Sequence, residues 1–273
     1  MPDLGEFDGG FTFGAYADLL VACRHAGYEF LTVREYLSAD AGELPERFVI
    51  LRHDVDRKPE NARDMAQLEA DHGAASTYYF RTIPKTFRPA YIETIEELGH
   101  EVGYHYEDLD RADGDARRAR KLFGAELAKL RTVATVDTVC MHGNPLTPHD
   151  NREMWNGSAG DGFEAFDLLG EAYLSMDFTD VAYFSDTGRT WRDGALKVKD
   201  HTMGEGENPA EVGTTRELVQ LLESGRLPRV CLLVHPNRWA RTYPERVGES
   251  VKDVTVNVGK HALNVVRGLQ DTT

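Results

Sequence analysis

The stretch VILRHDVD, Val49 to Asp56, decides how this chain is read. Three apolar residues, two of them β-branched, lead into Arg52, His53, Asp54 and Asp56. A continuous apolar run of this length is the pattern of a strand covered on both faces, as in a parallel sheet. In parallel α/β folds, sites form at the carboxyl ends of strands. Strand alternation then sorts the polar residues. If the strand persists to Asp56, Asp54 and Asp56 point to one side with Arg52, while His53 and Val55 point to the other.

Working outward, apolar runs alternate with helical patterns. YADLLVACRHAGY has helical spacing and stops at Gly27. ENARDMAQLEADHG follows as an amphipathic helix, ASTYYFRT as a second strand and PAYIETIEELG as a helix opening on Pro89. HEVGYHYE reads as a third strand, Asp110 to Arg131 as one long charged helix, and DTVCMHG as a fourth strand. Beyond Pro145 the pattern loosens. AYLSMDF, VAYFSDTG and ALKVKDHT are expected strands, TTRELVQLLESG a helix and RVCLLVHP a late strand. A helix through VNVGKHALNVVRGLQ is expected to close the chain. Repeated strand–helix alternation predicts a parallel α/β fold. Pattern alone allows either a barrel or a doubly wound sheet, and no glycine-rich phosphate motif follows the first strand.

At 273 residues and 41% hydrophobic, with no linker or repeat, the chain is expected to form one domain, residues 1–273. A formal charge of −15 argues against nucleic acid or an anionic membrane surface as a partner. No run approaches the length of a membrane-spanning helix. The acidic start MPDLGEFDGG lacks the apolar core of a secretory signal, so a cytoplasmic location is expected. Cys23, Cys140 and Cys231 are an odd number, and free buried thiols are expected.

Several strand-like runs end in histidine or aspartate. VILRHDVD gives His53, Asp54 and Asp56, and EVGYHYED gives His105 and Glu107. TVCMHGNP gives His142 and Asn144, VAYFSDTGR gives Asp186 and Arg189, and VCLLVHPNRW gives His235. Burying so many polar groups unpaired is costly, so they require partners or a metal. Carboxylates with imidazoles suit a divalent transition ion such as zinc, nickel, cobalt or iron. Such an ion activates water, and a second carboxylate can take the proton. Trp191 and Trp239, each near an arginine close to a strand end, can either stack on a sugar face or serve the core.

These residues resemble a known family. VILRHDVDRKP…STYYF resembles the opening of the polysaccharide deacetylase fold (NodB homology, carbohydrate esterase family 4). EELGHEVGYHYE resembles the family segment that carries the first metal-binding histidine, and VCLLVHP the late Leu-x-His motif. The resemblance spans about Arg47 to Trp239, with helical additions at both termini, and is nearest a divergent branch with HDVD and HYE. It implies a distorted (β/α)7-type barrel and a metal-dependent hydrolase, zinc being the foremost ion. The reaction implied is removal of an N-acetyl or related acyl group from a carbohydrate or sugar precursor. By position, Asp54 is the base, Asp56 and His105 are metal ligands and His235 is the acid. Asp186 and Arg189 stand where residues orient that acid and base. Trp191, Trp239 and Asn144 are assigned to the substrate. The family's His-x-x-x-His spacing puts Leu109 where a further histidine would stand. His142 is the first substitute as third ligand, and Glu107 the second. Two other readings stay open: a catalytically impaired barrel that binds carbohydrate or regulates, and a cyclic-amide hydrolase.

Overall fold

The computed structural model describes residues 10–40, 42–144, 146–156, 162–192, 210–242 and 245. Helix α1 (Phe13–His25), strand β1 (Glu29–Leu31) and helix α2 (Val33–Ser38) precede the quoted stretch, which forms β2 (Phe48–Val55). Then come α3 (Pro59–Asp71), β3 (Thr77–Phe80), α4 (Pro89–Glu97), β4 (Glu101–Tyr106), α5 (Asp108–Arg111), α6 (Ala116–Leu130) and β5 (Thr138–Met141). The later part supplies β6 (Gly170–Glu171), β7 (Ala182–Ser185), α7 (Thr215–Glu223) and β8 (Arg229–Val234). Short 3₁₀ turns lie at Asn151–Trp155, Phe163–Phe166 and Pro236–Arg238.

All strand pairs are parallel, in the order β6-β5-β4-β3-β2-β8-β7. β1 pairs with residues 48–50 of β2, below the part of the same edge that β3 uses. The sheet curls into a half-barrel of seven strands with helices, a distorted (β/α)7 barrel. The curl is visible in two contacts. The Arg52 guanidinium of β2 lies 4.1 Å from the ring centre of Tyr173, just past β6. The Tyr173 and Tyr183 hydroxyls meet at 3.2 Å, joining the chain after β6 to β7.

Every residue of β2 is buried, because both faces are covered. Alternation is obeyed: Val49 and Leu51 pack with α1 and α7, whereas Phe48 and Ile50 join the other core cluster. The helices start where local chemistry lets them. Thr32–Glu35 and Thr214–Glu217 form capping boxes, and Asp115 accepts from the Arg118 N–H at 3.0 Å. All three cysteines are buried free thiols. Among the described residues, no helix is long and apolar enough to cross a membrane.

Two expected elements differ. The single helix from Asp110 to Arg131 is two, α5 and α6. The chain turns at Asp113 and Gly114, both with positive φ (53° and 84°), and Asp115 caps a new start. AYLSMDF is not a strand. β6 stops at Glu171, whose carboxylate accepts from the Tyr173 and Leu174 N–H groups at 2.7 and 2.8 Å and bends the backbone away from the sheet. β1 and α2 carried too short a pattern to be read from sequence. ALKVKDHT and VNVGKHALNVVRGLQ lie outside the described residues.

Candidate metal centre

The carboxyl ends of β2, β4, β5, β7 and β8 converge on one set of side chains. β2 delivers Arg52 and Asp54 to the inner face. One residue past its end, the Asp56 N–H turns back to the Asp54 carbonyl at 3.2 Å. His53 faces away, into the helical layer, where Nε2 lies 2.7 Å from the Glu69 carboxylate of α3.

Asp56 Oδ1, His142 Nδ1 and His105 Nε2 form a triangle. Its sides are 3.0 Å (Asp56–His142), 3.5 Å (Asp56–His105) and 3.2 Å (His142–His105). A tetrahedral ion with ligand bonds of about 2.0–2.1 Å has ligand–ligand edges of about 3.3–3.4 Å. The tautomer of His105 fits as well. Its Nδ1 lies 3.0 Å from the Cys140 carbonyl, which can only accept, so Nδ1 carries the hydrogen and Nε2 turns a lone pair inward. Asp56 Oδ1 is buried and has no hydrogen-bond partner. An orphaned carboxylate oxygen facing two imidazole nitrogens is the donor set of a divalent ion.

Electrostatics point the same way. Burial pushes Asp56 up, but His142 and His105 overcome it and hold the carboxyl well below the usual carboxylate range. Burial depresses His105, yet Asp54 and Asp56 raise it above the ordinary imidazole value. The centre favours positive charge.

A second group, Asp54, His105 and Cys140, also has ligand atoms within 4.8 Å of one another. Arg52 decides between the two. Its Nε donates to Asp54 Oδ1 at 3.3 Å and its Nη2 to Oδ2 at 3.0 Å, in a fully buried pair. A cation at Asp54 would sit against that guanidinium, whereas among the described residues Asp56 pairs with histidines and with no lysine or arginine. Burial raises Asp54, but Arg52 and the nearby histidines bring it below its ordinary value, so it stays a carboxylate beside the centre.

His235 completes the arrangement from the end of β8. Its Nδ1 is 2.6 Å from Asp186 Oδ1, and its Nε2 is 4.0 Å from Asp56 Oδ2. Asp186 is fully buried and crowded with donors. It accepts from the His235 N–H (2.9 Å), Arg238 Nη1 (3.2 Å) and Trp239 Nε1 (2.8 Å). Burial raises Asp186, but His235 and Arg238 bring it below the ordinary value.

The remaining expected residues take other places. Arg189 has φ 57° and donates its backbone N–H to the Asp186 carbonyl at 2.8 Å, and the Arg238 guanidinium donates to the Asp186 carboxylate. Trp191 and Trp239, assigned to substrate, are both fully buried. Trp191 stacks on Phe11 and donates to Thr215, while Trp239 packs on Tyr16 and Phe11. Neither offers a face to a ligand, so this assignment is corrected. Asn144 shapes its own loop, accepting from the Leu146 N–H at 3.0 Å. Glu107 lies 3.9 Å from His142 Nε2, and Arg81 Nη2 holds both its oxygens at 2.6 and 2.7 Å. Leu109 is buried in the apolar core. The sequence marked Arg238 as one of the polar residues ending its strand but gave it no role, and gave Arg52 none despite its i, i+2 spacing to Asp54.

Fold and centre thus define a parallel α/β barrel with a carboxylate–imidazole cluster able to hold a divalent ion at its carboxyl end. Structures of similar chain trace include a family 4 carbohydrate esterase from Bacillus anthracis, with a TM-score of 0.39 at 10% identity over 90% of this chain and 86% of that one. Bacillus subtilis PdaA, also a family 4 carbohydrate esterase, gives 0.38 at 12% identity over 87% and 82%. A family 4 pseudoenzyme from Bacillus anthracis gives 0.41 at 11% identity over 79% and 66%. No protein-family model matches the sequence, and no curated protein matches it.

Proposed function

We propose that the chain is a divalent-metal-dependent hydrolase that removes an acyl group, N-acetyl foremost, from an amide on a carbohydrate or sugar precursor. The observation that carries this reading is the triangle of Asp56 Oδ1, His105 Nε2 and His142 Nδ1 beside the His235–Asp186 pair. The carbohydrate substrate rests on the motif resemblance of VILRHDVD, GHEVGYHYE and VCLLVHP.

Asp56, His105 and His142 would hold the ion, and zinc suits one carboxylate with two imidazoles. When bound, a divalent ion supplies Lewis acidity toward an acyl oxygen and lowers the pKa of water. The chain's own groups move the protons. Asp54, kept ionised and oriented by Arg52, takes a proton from the attacking water as its oxygen joins the acyl carbon. The carbon–nitrogen bond then breaks, and His235 Nε2 gives its proton to the leaving nitrogen. Asp186 accepts the Nδ1 hydrogen of His235 and so turns Nε2 toward the centre, as in other carboxylate–histidine pairs.

The test is acetate release from a panel of N-acetylated amino sugars beside ring opening of a panel of cyclic amides, with zinc, cobalt or nickel supplied. Release from the sugars that a chelator abolishes, and that Asp54→Asn abolishes while metal stays bound, is the expected result. Turnover of cyclic amides alone, or release indifferent to Asp54→Asn, would refute it.

A further inference from the structure

His142 stands outside regular structure: β5 ends at Met141, and a loop follows. A loop side chain is poorly placed unless its backbone groups are bonded. Two bonds hold this one. The His142 N–H donates to the Tyr106 carbonyl at 2.7 Å, extending the β4–β5 ladder by one residue. The His142 carbonyl accepts from Asn151 Nδ2 at 2.9 Å.

Asn151 opens the 3₁₀ turn Asn151–Trp155 and is only 1% exposed. Its amide is fully used. Oδ1 accepts from the Asp110 N–H at 3.0 Å, and Nδ2 also donates to Asp110 Oδ2 at 3.0 Å. The Asp110 N–H can only donate and the His142 carbonyl can only accept, so the amide has one possible orientation. Asp110 follows Leu109 on α5. The helix whose Leu109 points into the core instead supplies an anchor, through Asp110 and Asn151, for the histidine at the end of β5.

We propose that Asn151 is a positioning residue for the metal centre: it clamps the His142 main chain so that Nδ1 faces Asp56 and His105. The proposal rests on the reading of that centre as a metal site. Asn151 itself touches no ligand atom.

Asn151→Asp is the sharp test. It keeps the size of the side chain but sets an oxygen against the His142 carbonyl and the Asp110 carboxylate. Zinc affinity is measured on the full chain by competition with a chelator, well below the unfolding temperature, together with the visible spectrum of the cobalt-loaded protein. The expected result is one ion bound by the wild type and about 10- to 100-fold weaker binding by Asn151→Asp, with a changed cobalt spectrum. Asn61→Asp serves as control. Asn61 Nδ2 is also buried and donates to the Pro236 and Trp239 carbonyls at 3.2 and 3.1 Å, away from the three ligands. That variant is expected to lose stability and keep zinc affinity. Should Asn151→Asp fail to fold, Asp110→Ala takes its place, since it removes one acceptor of the clamp; a several-fold loss of zinc affinity is then expected. Wild-type affinity and cobalt spectrum in the clamp variant, or an equal loss in Asn61→Asp, would overturn the proposal. A wild type that binds no zinc would overturn the metal centre itself, and the clamp with it.

Discussion

His235 has one ring nitrogen committed to Asp186 and the other turned toward Asp56, and that asymmetry is what a proton donor needs. Removing the charge of Asp186 while keeping its shape isolates the effect. In Asp186→Asn no carboxylate remains to stabilise the doubly protonated ring whose Nε2 hydrogen goes to the leaving nitrogen. We expect kcat to fall by about 10²- to 10⁴-fold with KM little changed, measured by steady-state kinetics at saturating metal. A loss confined to KM would remove His235 from the chemistry. Leu109 supplies the complementary case. Its side chain lies in the apolar core rather than at the triangle, so restoring a histidine there would add a buried polar group and no ligand. Leu109→His is expected to lose about 2–4 kcal/mol in urea unfolding, with no gain in zinc affinity. Tighter zinc binding in that variant would mean that α5 does reach the centre.

Between elements, the same β2 strand that presents Asp54 inward presents His53 outward, and the two faces solve their charge problems differently. On the outer face Glu69 of α3 is fully buried. His53 Nε2 lies 2.7 Å from its carboxylate, which also accepts from Ser76 (2.6 Å), Tyr78 (2.7 Å) and Tyr16 (2.5 Å). Burial pushes Glu69 up, but His53, His100 and Ser76 overcome it and bring the carboxyl down from 4.5 to about 2. The folded value lies below the unfolded one, so the contribution is present above the unfolded pKa and fades as the pH falls toward the folded value. It amounts to roughly 3 kcal/mol at neutral pH. The stability gap between wild type and Glu69→Gln is therefore expected to be widest near pH 7 and to narrow from about pH 5 down toward about pH 2. Chemical unfolding across that range checks it, and a gap that does not change with pH would contradict it.

Across the whole molecule, legibility followed periodicity and run length. The apolar runs of β2, β3, β4, β5 and β8 announced themselves because both faces of a parallel strand are buried. The three-residue β1 and two-residue β6 were too short to carry a pattern, and the turn after Glu171 is made by side-chain bonds that apolar counting does not see. Alternation from Arg52 to Asp56 was enough to put the two acids on the face opposite His53. The clamp of Asn151 on His142 and Asp110 was not legible. It joins positions nine and forty-one residues apart through an amide with no motif around it. Trp191 and Trp239 misled because an aromatic beside an arginine reads the same in a cleft and in a core.

Metal binding by Asp56, His105 and His142 as one site underlies the proposed chemistry. Titration of the metal-free protein with zinc, followed by calorimetry, tests it most directly when run beside His142→Ala. One ion per wild-type chain and a loss of at least about tenfold in affinity in the variant are expected. No saturable binding by the wild type, or binding that His142→Ala leaves unchanged, would contradict it.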